Sequence, residues 1–70
     1  MEIIASEKGK LRGEVILYRM DDGRYRVYRH IPGVGSEDEV GSEFFDDEDQ
    51  AAQAYEDLVQ LLRRMNTGSR

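Results

Sequence analysis

The side chains with the richest chemistry in this chain are its carboxylates. Residues 31 to 57 carry ten of them, Glu37, Asp38, Glu39, Glu43, Asp46, Asp47, Glu48, Asp49, Glu56 and Asp57, without one Lys or Arg. Paired carboxylates serve as general acid and base only where an apolar pocket raises one pKa, and these fall in loop and cap positions. The run Asp46-Asp47-Glu48-Asp49 lacks the alternate spacing and central Gly of a calcium loop. With no Cys and a single His, His30, the chain has no thiolate nucleophile and no ordinary zinc ligand set. Ser6, Ser36, Ser42 and Ser69 have no nucleophile elbow around them, and Gly33-Val34-Gly35-Ser36 lacks the Gly-Lys-Ser of a phosphate loop. The expectation is a non-enzymatic protein with no catalytic residue, no metal and no cofactor.

What remains is binding, and the charge pattern offers two surfaces for it. Residues 8 to 30 hold seven basic side chains against three acidic ones, a balance of +4, while residues 31 to 57 stand at −10, so the net charge of −5 conceals a strong segregation. A cluster of carboxylates steers association with a basic surface and competes with phosphates for its Arg and Lys side chains. Glu37, Asp38, Glu39, Glu43, Asp47 and Glu48 are therefore the candidate protein-binding residues. The leading expectation is an acidic inhibitor that masks a nucleic-acid-binding surface on a protein partner. The alternative lies in the stretch Arg24-Tyr25-Arg26-Val27-Tyr28-Arg29-His30, where cations alternate with aromatics as in proteins that hold phosphates and stack bases. Arg19, Arg24, Arg26, Tyr28 and Arg29 are the candidate nucleic-acid contacts.

The elements that position these groups can be read from periodicity. Residues 11 to 20 and 24 to 31 are rich in β-branched and aromatic side chains and flank Asp21-Asp22-Gly23, which predicts a β-hairpin. Gly23 can serve either a type I′ turn with Asp22 or a left-handed position closing a G1 bulge. The second register separates Val15, Leu17, Tyr25 and Val27 from Ile16, Tyr18 and Tyr28, and is preferred because it sorts the aliphatics better. Val40 to Phe45 alternates as a further strand, with Val40, Ser42 and Phe44 on one side and Gly41, Glu43 and Phe45 on the other. Met1 to Ala5 is a candidate fourth strand, with Ser6 to Lys10 as the turn after it.

From Asp46 to about Met65 the period becomes helical, with Ala51, Ala54, Tyr55, Leu58, Leu61, Leu62 and Met65 on one stripe. Asp46 is the expected N-cap, with Asp49 three residues on. The stripe has one place to go, the face of the sheet. The fold expected is α+β, a three- or four-stranded antiparallel β-meander with one C-terminal amphipathic helix packed on one sheet face. It forms a single domain over residues 1–65, followed by a disordered tail over 66–70. The start lacks a basic region and a long apolar run, and no stretch approaches 18 apolar residues, so the expected location is cytoplasmic with no membrane partner. The other sheet face, bearing Ile16, Tyr18 and Tyr28, is the candidate surface for a homodimer.

The segment Phe45-Asp46-Asp47-Glu48-Asp49-Gln50-Ala51-Ala52-Gln53-Ala54-Tyr55 resembles the strand-to-helix junction of AP2-type and integrase arm-binding DNA domains. That resemblance implies a helix lying close on a three-stranded sheet whose strands touch DNA, here through Arg19, Arg24, Arg26 and Arg29. In size, charge and shape the chain is also similar to phage-encoded inhibitors such as anti-CRISPR proteins, an analogy of architecture rather than of motif.

Overall fold

The computed structural model describes residues 1–10, 12–33, 35 and 37–67. It contains four antiparallel strands, β1 (Glu2–Lys8), β2 (Glu14–Arg19), β3 (Tyr25–Ile31) and β4 (Glu39–Phe45), followed by one helix, α1 (Glu48–Thr67). The strands lie in chain order in one open sheet, β1-β2-β3-β4, and the helix packs on one face of it, mainly over β2 and β3. This is the expected α+β meander, in its four-stranded form.

The β2–β3 hairpin adopts the G1-bulge register. Leu17 stands opposite Val27 and Arg19 opposite Tyr25. The Met20 amide donates to the Arg24 carbonyl at 2.8 Å, the Gly23 amide to the Met20 carbonyl at 3.2 Å, and Gly23 has φ +90°. A left-handed Gly after a tight turn gives the twist the flanking strands require. This register places Val15, Leu17, Val27 and Ile31 under the helix, where with Ala51, Val59 and Leu62 they form the buried core. Ala5, Tyr25, Phe45, Ala54, Tyr55, Leu58, Leu61 and Met65 pack around it, half-buried. No polar or charged residue is buried among the described residues.

Three boundaries differ from the sequence-based expectation. The first strand continues to Lys8 instead of turning at Ser6, because Ser6, Glu7 and Lys8 pair with Ile16, Val15 and Glu14. A bulge at Ile4 makes this possible. Ile3 pairs with Tyr18 and Ala5 with Leu17, so the extra residue switches the side-chain alternation and turns Ala5 toward the core. The turn itself lies closer to Gly13, whose carbonyl accepts the Gly9 amide at 3.0 Å.

The second difference is the helix start. Asp47, not Asp46, is the N-cap: its Oδ2 accepts the Gln50 amide at 3.3 Å and its carbonyl accepts the Ala51 amide at 3.1 Å. An N-cap side chain satisfies an amide that has no partner within the helix. Asp46 still belongs to the exit from β4. The third difference is the helix end, since α1 includes residues 66 and 67, assigned above to the tail. Residues 68–70 lie outside the described residues. The buried stripe also contains Val59, 2% exposed, which the sequence-based stripe omitted.

Candidate functional site

Every charge among the described residues lies at or near the surface. The hairpin cations come first. Arg24, Arg26, Tyr28 and His30 alternate with Tyr25, Val27 and Arg29 along the strands, and the two sets face opposite sides of the sheet. On the open side, Arg26 stands between Tyr18 on β2 and Phe44 on β4. Its guanidinium carbon lies 5.2 Å from the Tyr18 ring centre and 5.9 Å from that of Tyr28, and its Nε donates to Ser42 Oγ at 2.9 Å. Arg24 reaches the Phe44 ring at 5.4 Å. The aromatic rings thus carry cations on their faces, an attraction worth about 0.5–1 kcal/mol at exposed sites.

The five candidate nucleic-acid contacts do not form one surface. Arg24, Arg26 and Tyr28 belong to the open side. Arg19 and Arg29 share the helix side with Tyr25 and Val27, where Arg19 bonds Glu2 at 3.3 Å and Arg29 bonds Glu39 at 3.1 Å. The sheet arginines that the DNA-domain resemblance implied as contacts are split in the same way.

The proposed dimer face is less exposed than its composition suggests. Ile16 is only 8% exposed despite lying opposite the helix, flanked in register by Ser6 and Tyr28. Tyr18 and Tyr28 are half-buried beside Arg26. Among the described residues the exposed apolar side chains on that side include Ile3, Val40 and Met1, the last reaching Arg26, with Phe44 half-exposed at 49%.

The acidic candidates divide by what holds them. Asp38 anchors the β3–β4 connection: its Oδ1 accepts the Gly33 amide at 2.9 Å and lies 3.2 Å from Arg12 Nη2, while its Oδ2 is 2.8 Å from His30 Nε2. Donation by the Gly33 amide first, then by His30, holds the Asp38 carboxyl below its ordinary value. Glu39 is occupied by Arg29. Beyond the candidates, Glu7 on β1 receives a two-pronged bond from Arg63 near the end of α1, at 2.7 and 2.9 Å, which lowers its pKa. Neither the role of Asp38 nor the Glu7–Arg63 pair carries a local sequence signal, because each joins elements distant in the chain.

Glu43, Asp47 and Glu48 are different. They cluster where β4 leads into α1, together with Asp46 and Asp49, and all are exposed. Among the described residues none of these five carboxylates has a cation at ion-pair distance, whereas Arg12, Arg19, Arg24, Arg29 and Arg63 are each paired within the chain. Glu37 is exposed two residues before the start of β4. The described residues contain no group of three or more His, Cys, Asp or Glu arranged to hold a metal ion. Those carboxylates whose pKa is displaced, on Glu7, Asp22 and Asp38, are all moved downward, away from the range a general acid needs. Among the described residues no helix is long and apolar enough to cross a membrane.

No family model matches this chain, and comparison with curated proteins and with solved structures finds no match.

Proposed function

We propose that this is a non-enzymatic acidic binding protein that docks on a basic surface of a protein partner through the carboxylates at the junction of β4 and α1. The observation that carries the reading is the uneven distribution of ion pairs. The cations of the hairpin are largely neutralised within the chain, while Glu43, Asp46, Asp47, Glu48 and Asp49 have no cation at ion-pair distance among the described residues. A partner surface of Lys and Arg that binds nucleic acid offers the complementary chemistry. Occupying it makes the protein an inhibitor of the kind phage genomes encode.

A second reading rests on Arg26. It has no carboxylate partner among the described residues and lies over Tyr18 and Tyr28, so the open side combines a cation with aromatic faces, as single-stranded nucleic-acid binders do. Pairing of Arg19 and Arg29 on the opposite side leaves this surface smaller than the sequence suggested, which favours the first reading.

One capture experiment separates them. Tagged wild-type protein, the Glu43→Lys/Glu48→Lys variant and the Arg26→Ala variant are incubated at low salt with lysate of the native host, before and after nuclease. The first reading expects a stoichiometric basic protein that survives nuclease, is retained by Arg26→Ala and drops at least several-fold with the charge-reversed variant. Recovery of no such protein, or equal recovery by the charge-reversed variant, overturns it. Nucleic acid retained by wild type and lost with Arg26→Ala supports the second.

A further inference from the structure

The acidic junction adjoins β4, one of the two terminal strands of the sheet. β1 and β4 are the terminal strands, and a terminal strand offers unpaired amides and carbonyls to any chain that can align with it. β1 is blunted in ways natural edges commonly are: the Ile4 bulge breaks its register, Lys8 ends it, and Glu7 is tied to Arg63 of the helix. β4 has none of these. Its pairing with β3 runs without a shift over seven residues, Tyr25↔Phe45 to Ile31↔Glu39, and it contains no Pro, Lys or bulge.

The side chains along β4 specify what fits beside it. On the open side Val40, 58% exposed, and Phe44, 49% exposed, flank the small Ser42. On the helix side Glu39 and Glu43 flank Gly41. A strand laid against this edge therefore needs apolar residues alternating with basic ones, the former meeting Val40 and Phe44, the latter meeting Glu43, since Glu39 is already held by Arg29. Carboxylates at both ends, Glu37 on one and Asp46 to Asp49 on the other, favour the same positive charge.

A second copy of the chain fits poorly. In antiparallel self-pairing, a register centred on Gly41 sets Glu39 against Glu43, and one centred on Glu43 sets that residue against itself. The register centred on Ser42 avoids this but sets Glu37 of each copy against Asp47 of the other and Asp38 against Asp46, acid against acid. Like charges facing across strands are destabilising. The groups that repel a second copy attract a basic strand.

We infer that β4 receives an extended segment of the partner, alternating apolar and basic residues, as a fifth strand of the sheet. Main-chain hydrogen bonds supply affinity in such strand addition, and alternate side chains supply selectivity. The inference rests on the acidic-docking reading and adds the mode of binding to it.

The test uses the full chain and synthetic peptides matched in length to β4: an alternating Val–Lys peptide, a peptide of the same composition with its Val and Lys grouped in two blocks, and the alternating peptide N-methylated along its backbone. Binding is followed by titration and by amide hydrogen exchange. Strand addition expects the alternating peptide to slow exchange of outward-pointing β4 amides and to bind about tenfold more weakly to Glu43→Lys, where an opposite-charge cross-strand pair becomes a like-charge one. The grouped and N-methylated peptides should give no β4 protection. Should all three bind equally, with no slowing along β4, the acidic reading stands and strand addition falls. If no basic peptide binds at low salt, both fall. Protection of β4 in the absence of peptide, together with a dimer by sedimentation, overturns the basic segment in favour of a second copy.

Discussion

At Gly13 one missing methyl group decides whether the sheet and helix can meet. Gly13 has φ +97°, and a Cβ there would stand 2.7 Å from Leu62 Cδ1, 2.9 Å from the His30 carbonyl oxygen and 2.9 Å from Pro32 Cδ. Gly23 has a similar φ of +90° but open space around it. The pair separates two effects that substitution usually mixes. A left-handed backbone costs an L-residue about 1–2 kcal/mol, and overpacking a well-filled site adds about 1–3 kcal/mol. Gly23→Ala is expected to cost only the first, about 1 kcal/mol, and Gly13→Ala both, at least about 2 kcal/mol, in urea unfolding. Equal losses would show that the contact at Gly13 relaxes freely. From the sequence Gly23 was recognisable as a turn residue, because it sits between two strand-like runs. Gly13 was not, since its constraint comes from Leu62 and Pro32, remote in the chain.

At the scale of elements, α1 illustrates how far local signals reach. Its period, its small Ala residues and its acidic start were legible, because each follows from the geometry of one helix. Which of two adjacent aspartates caps it was not, since Asp46 and Asp47 are equivalent by residue type. The path of the chain out of β4 decides, by extending the strand to Phe45 and leaving Asp46 as a connector. Loss of an N-cap side chain costs about 1 kcal/mol. Asp47→Ala should therefore lower stability by about that amount, while Asp46→Ala stays within about 0.5 kcal/mol, as surface changes away from such features do. Thermal unfolding monitored by circular dichroism checks this, and the opposite ranking would return the cap to Asp46. Val59 was missed for a related reason: a stripe drawn on one helix alone cannot show how far the sheet wraps around it. Along β1, the same limit hid the bulge that lets Ser6 to Lys8 remain paired.

Across the whole molecule, three carboxylates tie turns and elements together. Glu7 joins β1 to the far end of α1, Asp38 joins both loops at one end of the sheet, and Asp22 holds the hairpin turn through Arg24, which donates its amide and its guanidinium. In each case hydrogen bonding is the main cause of a pKa below the ordinary value, 4.5 for Glu7 and 3.8 for Asp22 and Asp38. A carboxylate whose folded pKa is depressed contributes stability that is present above its unfolded pKa and lost as pH falls through the folded one. Unfolding free energy should accordingly hold from neutral pH to just above these ordinary values and decline below them. Asp38→Asn should reduce stability at neutral pH and show a shallower decline on acidification, so that the two proteins converge at the acid end of a urea series from about pH 7 to pH 2. A variant that runs parallel to wild type throughout would remove Asp38 from this account.

The amino-acid sequence by itself determined the α+β class, the hairpin, the amphipathic helix and the segregation of charge, and it favoured the bulged register without excluding the type I′ one. These follow from periodicity, turn chemistry and composition, which act over a few residues. Tertiary structure decided which charges remain available. It brought Arg12 to Asp38, Arg19 to Glu2, Arg29 to Glu39 and Arg63 to Glu7, separated the hairpin arginines onto two sides of the sheet, and left the carboxylates at the β4–α1 junction without an ion-pair partner among the described residues, beside a terminal strand. The physical reason is that ion pairing depends on distance in space, and a count of charges along the chain holds no information about which of them the fold will bring within reach of one another.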